Sequence, residues 1–352
     1  MKHNKLLILI AGIAILFGIS CSGIIIAQGI RTGAVQTSPT DKRDRYPNAW
    51  ELKKTKLDEF SEISVSLSYC NFSILPSDDY ALEYRMDGIC EEPEYSVSDG
   101  SFHFSEGHTR EKYRAGFHFF FNPANFSANQ EPFYVNLYVP KDAYFYLLSL
   151  SDESGNIEIG DIQAERAEIT ADYGNLDIDS FSGKKLSLNA DSGNIDLGNV
   201  TCDNLEISDE YGNISADSLI IAKNTAIKLE SGNLKVSKLE SDQLTLSNEY
   251  GNCTANEITV KNSNVSMESG SLKLQQATLG STEINSSYGD TTLGLATDVS
   301  DYNYDLKAEY GAITLDGTNI DANDDGEVYY QKDNGQKNDI RIISESGNIK
   351  IR

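Results

Sequence analysis

From Asp152 to the end of the chain one short phrase recurs ten times: a polar, mostly acidic residue, then Ser or Tyr, then Gly, usually followed by Asn and an alternating apolar tail. It reads DESGNIEI at Asp152, ADYGNLDI at Ala171, ADSGNIDL at Ala190 and finally SESGNIKI at Ser344. The glycines are Gly155, Gly174, Gly193, Gly212, Gly232, Gly251, Gly270, Gly289, Gly311 and Gly347, spaced 19 or 20 residues apart over most of the run. A unit this short cannot bury an apolar face by itself, so the copies must stack along an axis. That argues against an ordinary enzyme fold.

Apolar residues keep a fixed register to each glycine. Leu150, Ile169, Leu188 and Ile207 stand five before it; Ile157, Leu176, Ile195 and Ile214 two after it; Ile159, Ile178 and Leu197 four after it. Polar residues fill the places between, the period-two mark of strands with one buried face. The expected fold is all-β: a parallel β-solenoid of about ten repeats, a rod about 45–50 Å long at the usual strand spacing. The glycine is expected at a corner needing positive φ. The Asn after it, as at Asn156, Asn175 and Asn194, is placed to hydrogen-bond from rung to rung.

A finer period lies inside the first. The residue before the glycine alternates: Ser154, Tyr173, Ser192, Tyr211, Ser231, Tyr250, Ser269, Tyr288. Turns of about 19 residues would stack Ser next to Tyr. Flattened turns twice as long would put Ser and Tyr on opposite edges. Both give the same core, and the sequence leaves both open.

The acid–Ser/Tyr–Gly–Asn–apolar unit, its spacing near 19, and the entry segment Val135–Pro140 before the first copy resemble the "putative adhesin" β-strand-repeat family of bacterial surface proteins. This domain of unknown function is common in Gram-positive bacteria. The resemblance runs from about Leu57 to Arg352. It implies an outward-facing, membrane-anchored β-solenoid with no established catalytic residues. It also keeps open a role beside regulators of envelope stress.

Composition narrows the partners. With 29 Lys and Arg against 54 Asp and Glu, the formal net charge is −25, which disfavours nucleic acid as a ligand because phosphate needs a basic surface. Leu6 to Ala27 is an unbroken apolar or small run preceded by Lys2 and Lys5. It is long enough for a transmembrane helix, with the basic end inside and the bulk of the chain outside. A signal peptide cleaved after Ala27 and a lipoprotein anchored at Cys21 are the alternatives. All three export the remainder, so the expected location is the cell membrane, single-pass, with the solenoid extracellular.

The expected organisation follows. Residues 1–30 form a short inner tail and anchor, and 31–56 a polar stalk with Pro39 and Pro47. Residues 57–148 form an irregular β-rich cap or first rungs, since a stack needs an atypical end to protect its open edge. Residues 149–352 form the repeats, interrupted by a polar insertion at 316–339.

The candidate ligand-binding surface is the repeated corner. It comprises Tyr173, Tyr211, Tyr250 and Tyr288, with the acidic strip two residues before each glycine: Glu153, Asp172, Asp191, Glu210, Glu230, Glu249 and Glu268. Stacked like charges repel, by roughly 1 kcal/mol per neighbouring pair in water, so solvent, lysines or cations must offset them. A stripe taking Ca²⁺ or a cationic ligand is one reading. A solvated turn edge is preferred, because hard cations need oxygens converging from several directions. Asp321-Ala-Asn-Asp-Asp-Gly326 opens like a calcium loop, but Lys332 stands where a bidentate Glu belongs, and Glu327-Val-Tyr-Tyr reads as strand. His103, His108 and His118 flank Glu106, yet Phe102 and Phe104 would turn His103 outward on a strand. The aromatic run Phe117–Phe121 with Phe126 suits a cap core or, if exposed, a partner or membrane surface. Cys253 takes an Ile position in the repeat; the five cysteines show no paired spacing, and whether Cys70 and Cys90 pair in the cap, as export permits, is left open by the sequence.

No nucleophile elbow, phosphate loop or HExxH occurs, and neither a catalytic residue nor a cofactor is expected. The leading expectation is a non-catalytic adhesin-like module binding a cell-envelope polymer or a surface protein. A membrane-tethered regulator of envelope stress is the alternative, and a polysaccharide-acting β-helix enzyme stands behind both.

Overall fold

The computed structural model describes residues 49–109, 133–324 and 326–352. Eight short strands lead in: β1 (Trp50–Lys56), β2 (Glu62–Leu67), β3 (Asn71–Ser77), β4 (Ala81–Met86), β5 (Glu94–Ser98), β6 (Ser101–Ser105), β7 (Tyr134–Pro140) and β8 (Tyr144–Asp152). Seven long ones follow: β9 (Ile157–Tyr173), β10 (Leu176–Ser192), β11 (Ile195–Tyr211), β12 (Ile214–Ser231), β13 (Leu234–Tyr250), β14 (Cys253–Ser269) and β15 (Leu272–Tyr288). The chain ends with β16 (Thr291–Leu295), β17 (Tyr302–Tyr310), β18 (Ile313–Leu315), β19 (Thr318–Ile320), β20 (Val328–Lys332), β21 (Asn338–Ser346) and β22 (Ile349–Ile351).

Each long strand is one turn of a parallel solenoid. In β9 the buried residues are Ile157 and Ile159, then Ile162 and Ala164, then Ala167, Ile169 and Ala171. The alternation slips at Gly160–Asp161 and Glu165–Arg166, where two successive residues face outward, and with the corner at Gly174 this divides them into three inward-facing runs. The next turn repeats the arrangement one strand higher: Ile157 pairs with Leu176, Ile159 with Ile178 and Ile169 with Leu188. β10 on β11 continues the ladder in the same register. The turn is therefore the 19-residue one, with Ser192 between Tyr173 and Tyr211 on a single edge; the flattened double turn is ruled out. Burying each Ile or Leu contributes roughly 1.5–3 kcal/mol, and stacking lets a short unit bury several. β12 carries an extra residue, absorbed by a register shift between Ile221 and Asn224.

The order of turns in space departs from the order in the chain at both ends. β2 and β3 make a turn that lies between β6 and β7 on one side and β8 and β9 on the other. At the far end the last repeat is inserted. β21 pairs with β15 below and β17 above, and β22 pairs with β16 below and β18 above. The spatial sequence of corners is thus Gly289, Gly347, Gly311. Both ends close with antiparallel strands: β1 on β4, β4 on β7 and β5 on β6 at the start, and β19 on β18 and β20 on β17 at the finish. Reversing direction there protects a stack whose open edge would otherwise template another chain.

Two expected boundaries change. Residues 50–56, assigned from sequence to the stalk, form β1, because Trp50 and Leu52 pack on the core of the first turns. The polar stretch 316–339 holds β19 and β20, which cap the stack while the chain doubles back. Among the described residues no helix is long and apolar enough to cross a membrane. The run Leu6–Ala27, most of the stalk, and Phe117–Phe121 with Phe126 and His118 lie outside the described residues.

Candidate functional site

The repeated corner is built from the backbone outward. A Cβ on any corner glycine would overlap the carbonyl of the corner one turn below: Gly193 against Gly174, Gly232 against Gly212, Gly347 against Gly289. Positive φ, the expected reason for glycine, holds at Gly193, Gly232, Gly251, Gly270, Gly289 and Gly347 but not at Gly155, Gly174, Gly212 or Gly311. Close approach is the property all of them share. Beside the glycines the Asn side chains form the expected ladder. The Asn175 N–H donates to Asn156 Oδ1 at 2.9 Å, Asn194 to Asn175 at 3.0 Å and Asn213 to Asn194 at 3.1 Å. It reaches down to Asn71, which accepts from the Asn156 N–H at 3.0 Å.

That contact exposes a turn the glycine pattern hides. Tyr69-Cys70-Asn71-Phe72-Ser73-Ile74 spells the repeat with Cys in glycine's place, and Phe72 and Ile74 pair with Ile157 and Ile159. Cys70 is the lowest corner of the ladder, its carbonyl lying under Gly155. The side chain is buried, and burial pushes its thiol far up. Cys90 is buried in the same cap and Cys253 in the core column.

With this turn added and the last repeat in its spatial place, the residues before the corner read Tyr69, Ser154, Tyr173, Ser192, Tyr211, Ser231, Tyr250, Ser269, Tyr288, Ser346, Tyr310. Along the chain the alternation fails after Tyr288; in space Ser346 pairs with both Tyr288 and Tyr310. The tyrosines form one ridge, each 54–79 % exposed, and alternate turns separate them by about 9.6 Å. Sequence reasoning missed Tyr69 and Tyr310. Repeating the motif search with any small residue at the corner would have found the first; the second already stands before Gly311 in the repeat, and only its place in the alternation needs the topology.

The acidic strip runs beside the ridge. Glu153, Glu210 and Glu268 are exposed, and Asp172, Asp191, Glu230 and Glu249 half-buried. Lysine offsets part of the repulsion: Lys228 Nζ lies 3.1 Å from Glu230 and Lys307 Nζ 2.8 Å from Glu309. On another edge the charges alternate turn by turn, through Glu165, Lys184, Asp203, Lys223, Asp242 and Lys261. Lys184–Glu165 and Lys223–Asp203 pair at 3.0 Å, and Lys261–Asp242 at 2.6 Å.

One residue further in, the side chain points to the core. Five of the ten repeats place Ala, Leu or Met there and two place Ser (Ser286 and Ser344), but Asp152, Asp209 and Asn248 are larger polar side chains, each 1 % exposed. Burial pushes the Asp152 carboxyl up to about 7, against the Ser154 N–H that donates to it at 3.0 Å. Burial likewise lifts Asp209 to about 6. The Tyr211 amide restrains that shift, although neither carboxyl oxygen makes a well-formed hydrogen bond. Asn248 manages better, donating from Nδ2 to the Gly232 carbonyl at 3.0 Å.

Between the acidic strip and the slip at 165–166 lies an outer face of mostly small polar side chains, with Glu168, Glu206 and Lys228 among them. Two columns line a shallow groove of about 440 Å³ there, Ser187, Glu206, Ala226 and Thr245 in one and Asn189, Ser208, Lys228 and Ser247 in the other. Among the described residues no cluster of three or more His, Cys, Asp or Glu has the geometry to hold a metal ion. His103 is exposed on β6, whereas His108, also exposed, lines a pocket of about 530 Å³ with Glu106, Glu153 and Tyr69 at one end of the ridge. In the segment resembling a calcium loop, Asn323 closes a turn by accepting from Gly326 and Glu327 N–H groups, and β20 follows.

No curated protein matches the sequence. Solved structures with some likeness include a "putative adhesin" from Parabacteroides distasonis, at 17 % identity and a TM-score of 0.37, covering 68 % of this chain and 97 % of that one. A "putative lipid binding protein" from the same species has 13 % identity and a TM-score of 0.38, covering 87 % and 97 %. A "putative adhesin" from Bacteroides fragilis has 12 % identity and a TM-score of 0.33, over the same shares. The family comparison reaches further: one model fits twice, over residues 60–202 and 183–352, from the hidden first turn to the final residue, and so the chain belongs to the Toastrack DUF4097 family.

Proposed function

We propose that this protein is a non-catalytic, adhesin-like binding module of the cell envelope. In this reading the apolar run Leu6–Ala27 anchors it in the membrane, and the stack stands outside on the stalk. The observation that carries the reading is the tyrosine ridge. Its alternation survives two departures from chain order, while exposed tyrosine contributes little to the core. An edge that repeats one aromatic and one acidic position along a rod suits many weak contacts that add. A polysaccharide-cleaving centre instead needs acids and a base converging on one bond, whereas here the acids recur one per turn.

Full-length protein in liposomes is expected to sediment with purified envelope polymers. Replacing Tyr173, Tyr211, Tyr250 and Tyr288 by Ser should weaken that binding at least about tenfold, since truncating buried contact tyrosines commonly costs more than 1 kcal/mol each. Ser already occupies the alternate turns, so the melting temperature should hold. Undiminished binding by the variant would remove the ridge from the function, and no binding by either protein would sink the reading.

A further inference from the structure

The spacing and chemistry of the ridge specify its ligand more closely. We infer that the groove and ridge take an uncharged β-1,4-linked polysaccharide lying along the axis of the stack, an inference that rests on the binding reading above. In such a chain each sugar ring is turned over relative to the last, so the same face recurs on every second ring. The ridge has the same two-step order: an exposed tyrosine, a serine, then a tyrosine again. Two strand spacings, about 9.6 Å, are close to the advance of one disaccharide in an extended β-1,4 chain. Tyrosine offers an apolar ring face with a polar tip, suited to the C–H face of a sugar, and the intervening Ser leaves room for the opposite face and its substituents.

The flanking surface fits the same ligand. Ser187, Asn189, Ser208, Thr245 and Ser247 present hydroxyl and amide groups, and Glu206 and Lys228 in the same two columns add a charged acceptor and a charged donor for sugar hydroxyls. Carboxylates at Asp191, Glu210, Glu230 and Glu249 are acceptors for sugar hydroxyls on the side next to the tyrosines. A net charge of −25 repels polyanionic polymers. An α-1,4-linked chain coils and does not present one face at this interval.

The test is titration of the full-length protein in detergent micelles with β-1,4-linked N-acetylglucosamine oligomers, lengthened one disaccharide at a time. The controls are α-1,4-linked glucose oligomers of equal length and polyphosphate. Affinity should rise severalfold with each added disaccharide, and the α-linked and polyanionic probes should bind at least about tenfold more weakly. The double variant Tyr211→Ser, Tyr250→Ser should lose about tenfold, whereas Tyr211→Phe, Tyr250→Phe, which keeps both ring faces, should bind nearly as the native protein does. Equal affinity for α- and β-linked chains, no gain with length, or an unaffected Ser variant would each overturn the inference. If other envelope polymers bind through these tyrosines while the β-1,4 oligomers do not, the glycan assignment falls and the broader binding reading stands. If no envelope polymer binds at all, both fall.

Discussion

Asp209 shows how a single residue can sit against the logic of its own repeat. Its inward position belongs to Ala, Leu or Met in five of the ten repeats and to Ser in two, and its carboxyl is buried without a well-formed hydrogen bond. Burial raises its pKa from the ordinary 3.8 to about 6. Between those values the folded protein holds a proton that the unfolded chain has released. Stability therefore falls as pH rises through that window and stays reduced above it. Asp209→Asn should remove this dependence. It should raise stability by on the order of 2–3 kcal/mol at neutral pH and change little near pH 4. The precedent lies in the same chain: Asn248, at the equivalent place, donates to the carbonyl of the corner glycine below. Urea denaturation at the two pH values checks this; an equal gap at both would mean that charge is not the cause. The corner glycines carry a related lesson. Their sequence positions were legible, and positive φ holds at six of the ten, but the reason they all share is not local, because the overlapping carbonyl belongs to a residue 19 or more places away.

At the scale of elements, the long strands were readable and the threading was not. Period-two alternation around each glycine marks β9 to β15 directly, since every turn must bury the same side. Nothing local distinguishes a final repeat placed on top of the stack from one slipped beneath its predecessor. β21 and β22 take the second course because the insertion, read from sequence as a plain polar stretch, folds into β19 and β20 and blocks the upper edge with antiparallel pairs. This arrangement makes the C-terminal segment a clasp. Deleting residues 338–352 removes the partner on which β17 and β18 rest. Amides of 302–315 should then lose hydrogen-exchange protection, while those of 195–211 keep theirs, as expected where each turn depends mainly on its neighbours. Loss of protection throughout would show that the stack unfolds as one unit.

At the scale of the whole molecule the repeat is two turns, not one, on two separate edges. Tyr alternates with Ser at the corner, and acid alternates with Lys along Glu165, Lys184, Asp203, Lys223, Asp242 and Lys261. Each exposed ion pair contributes little, but the order matters when turns are removed. Deleting one turn, 234–252, brings Lys223 next to Lys261 and sets Ser231 beside Ser269. Deleting two, 234–271, preserves both alternations. The shorter deletion should therefore be the less stable of the two at low ionic strength, by roughly 1 kcal/mol, with the difference shrinking in high salt. Denaturation midpoints at both salt concentrations test this, and a greater loss from the longer deletion would refute it. The parallel solenoid, its core column, the Asn ladder and four tyrosines of the ridge could all be read from the chain's own pattern. All of these follow from short-range pattern, because every copy must bury the same face. The length of a turn, the hidden turn with Cys70 at its corner, and the slot taken by the last repeat came to light in the fold. Those depend on which distant segments share hydrogen bonds, and a copy of the motif reads the same wherever in the stack it comes to lie.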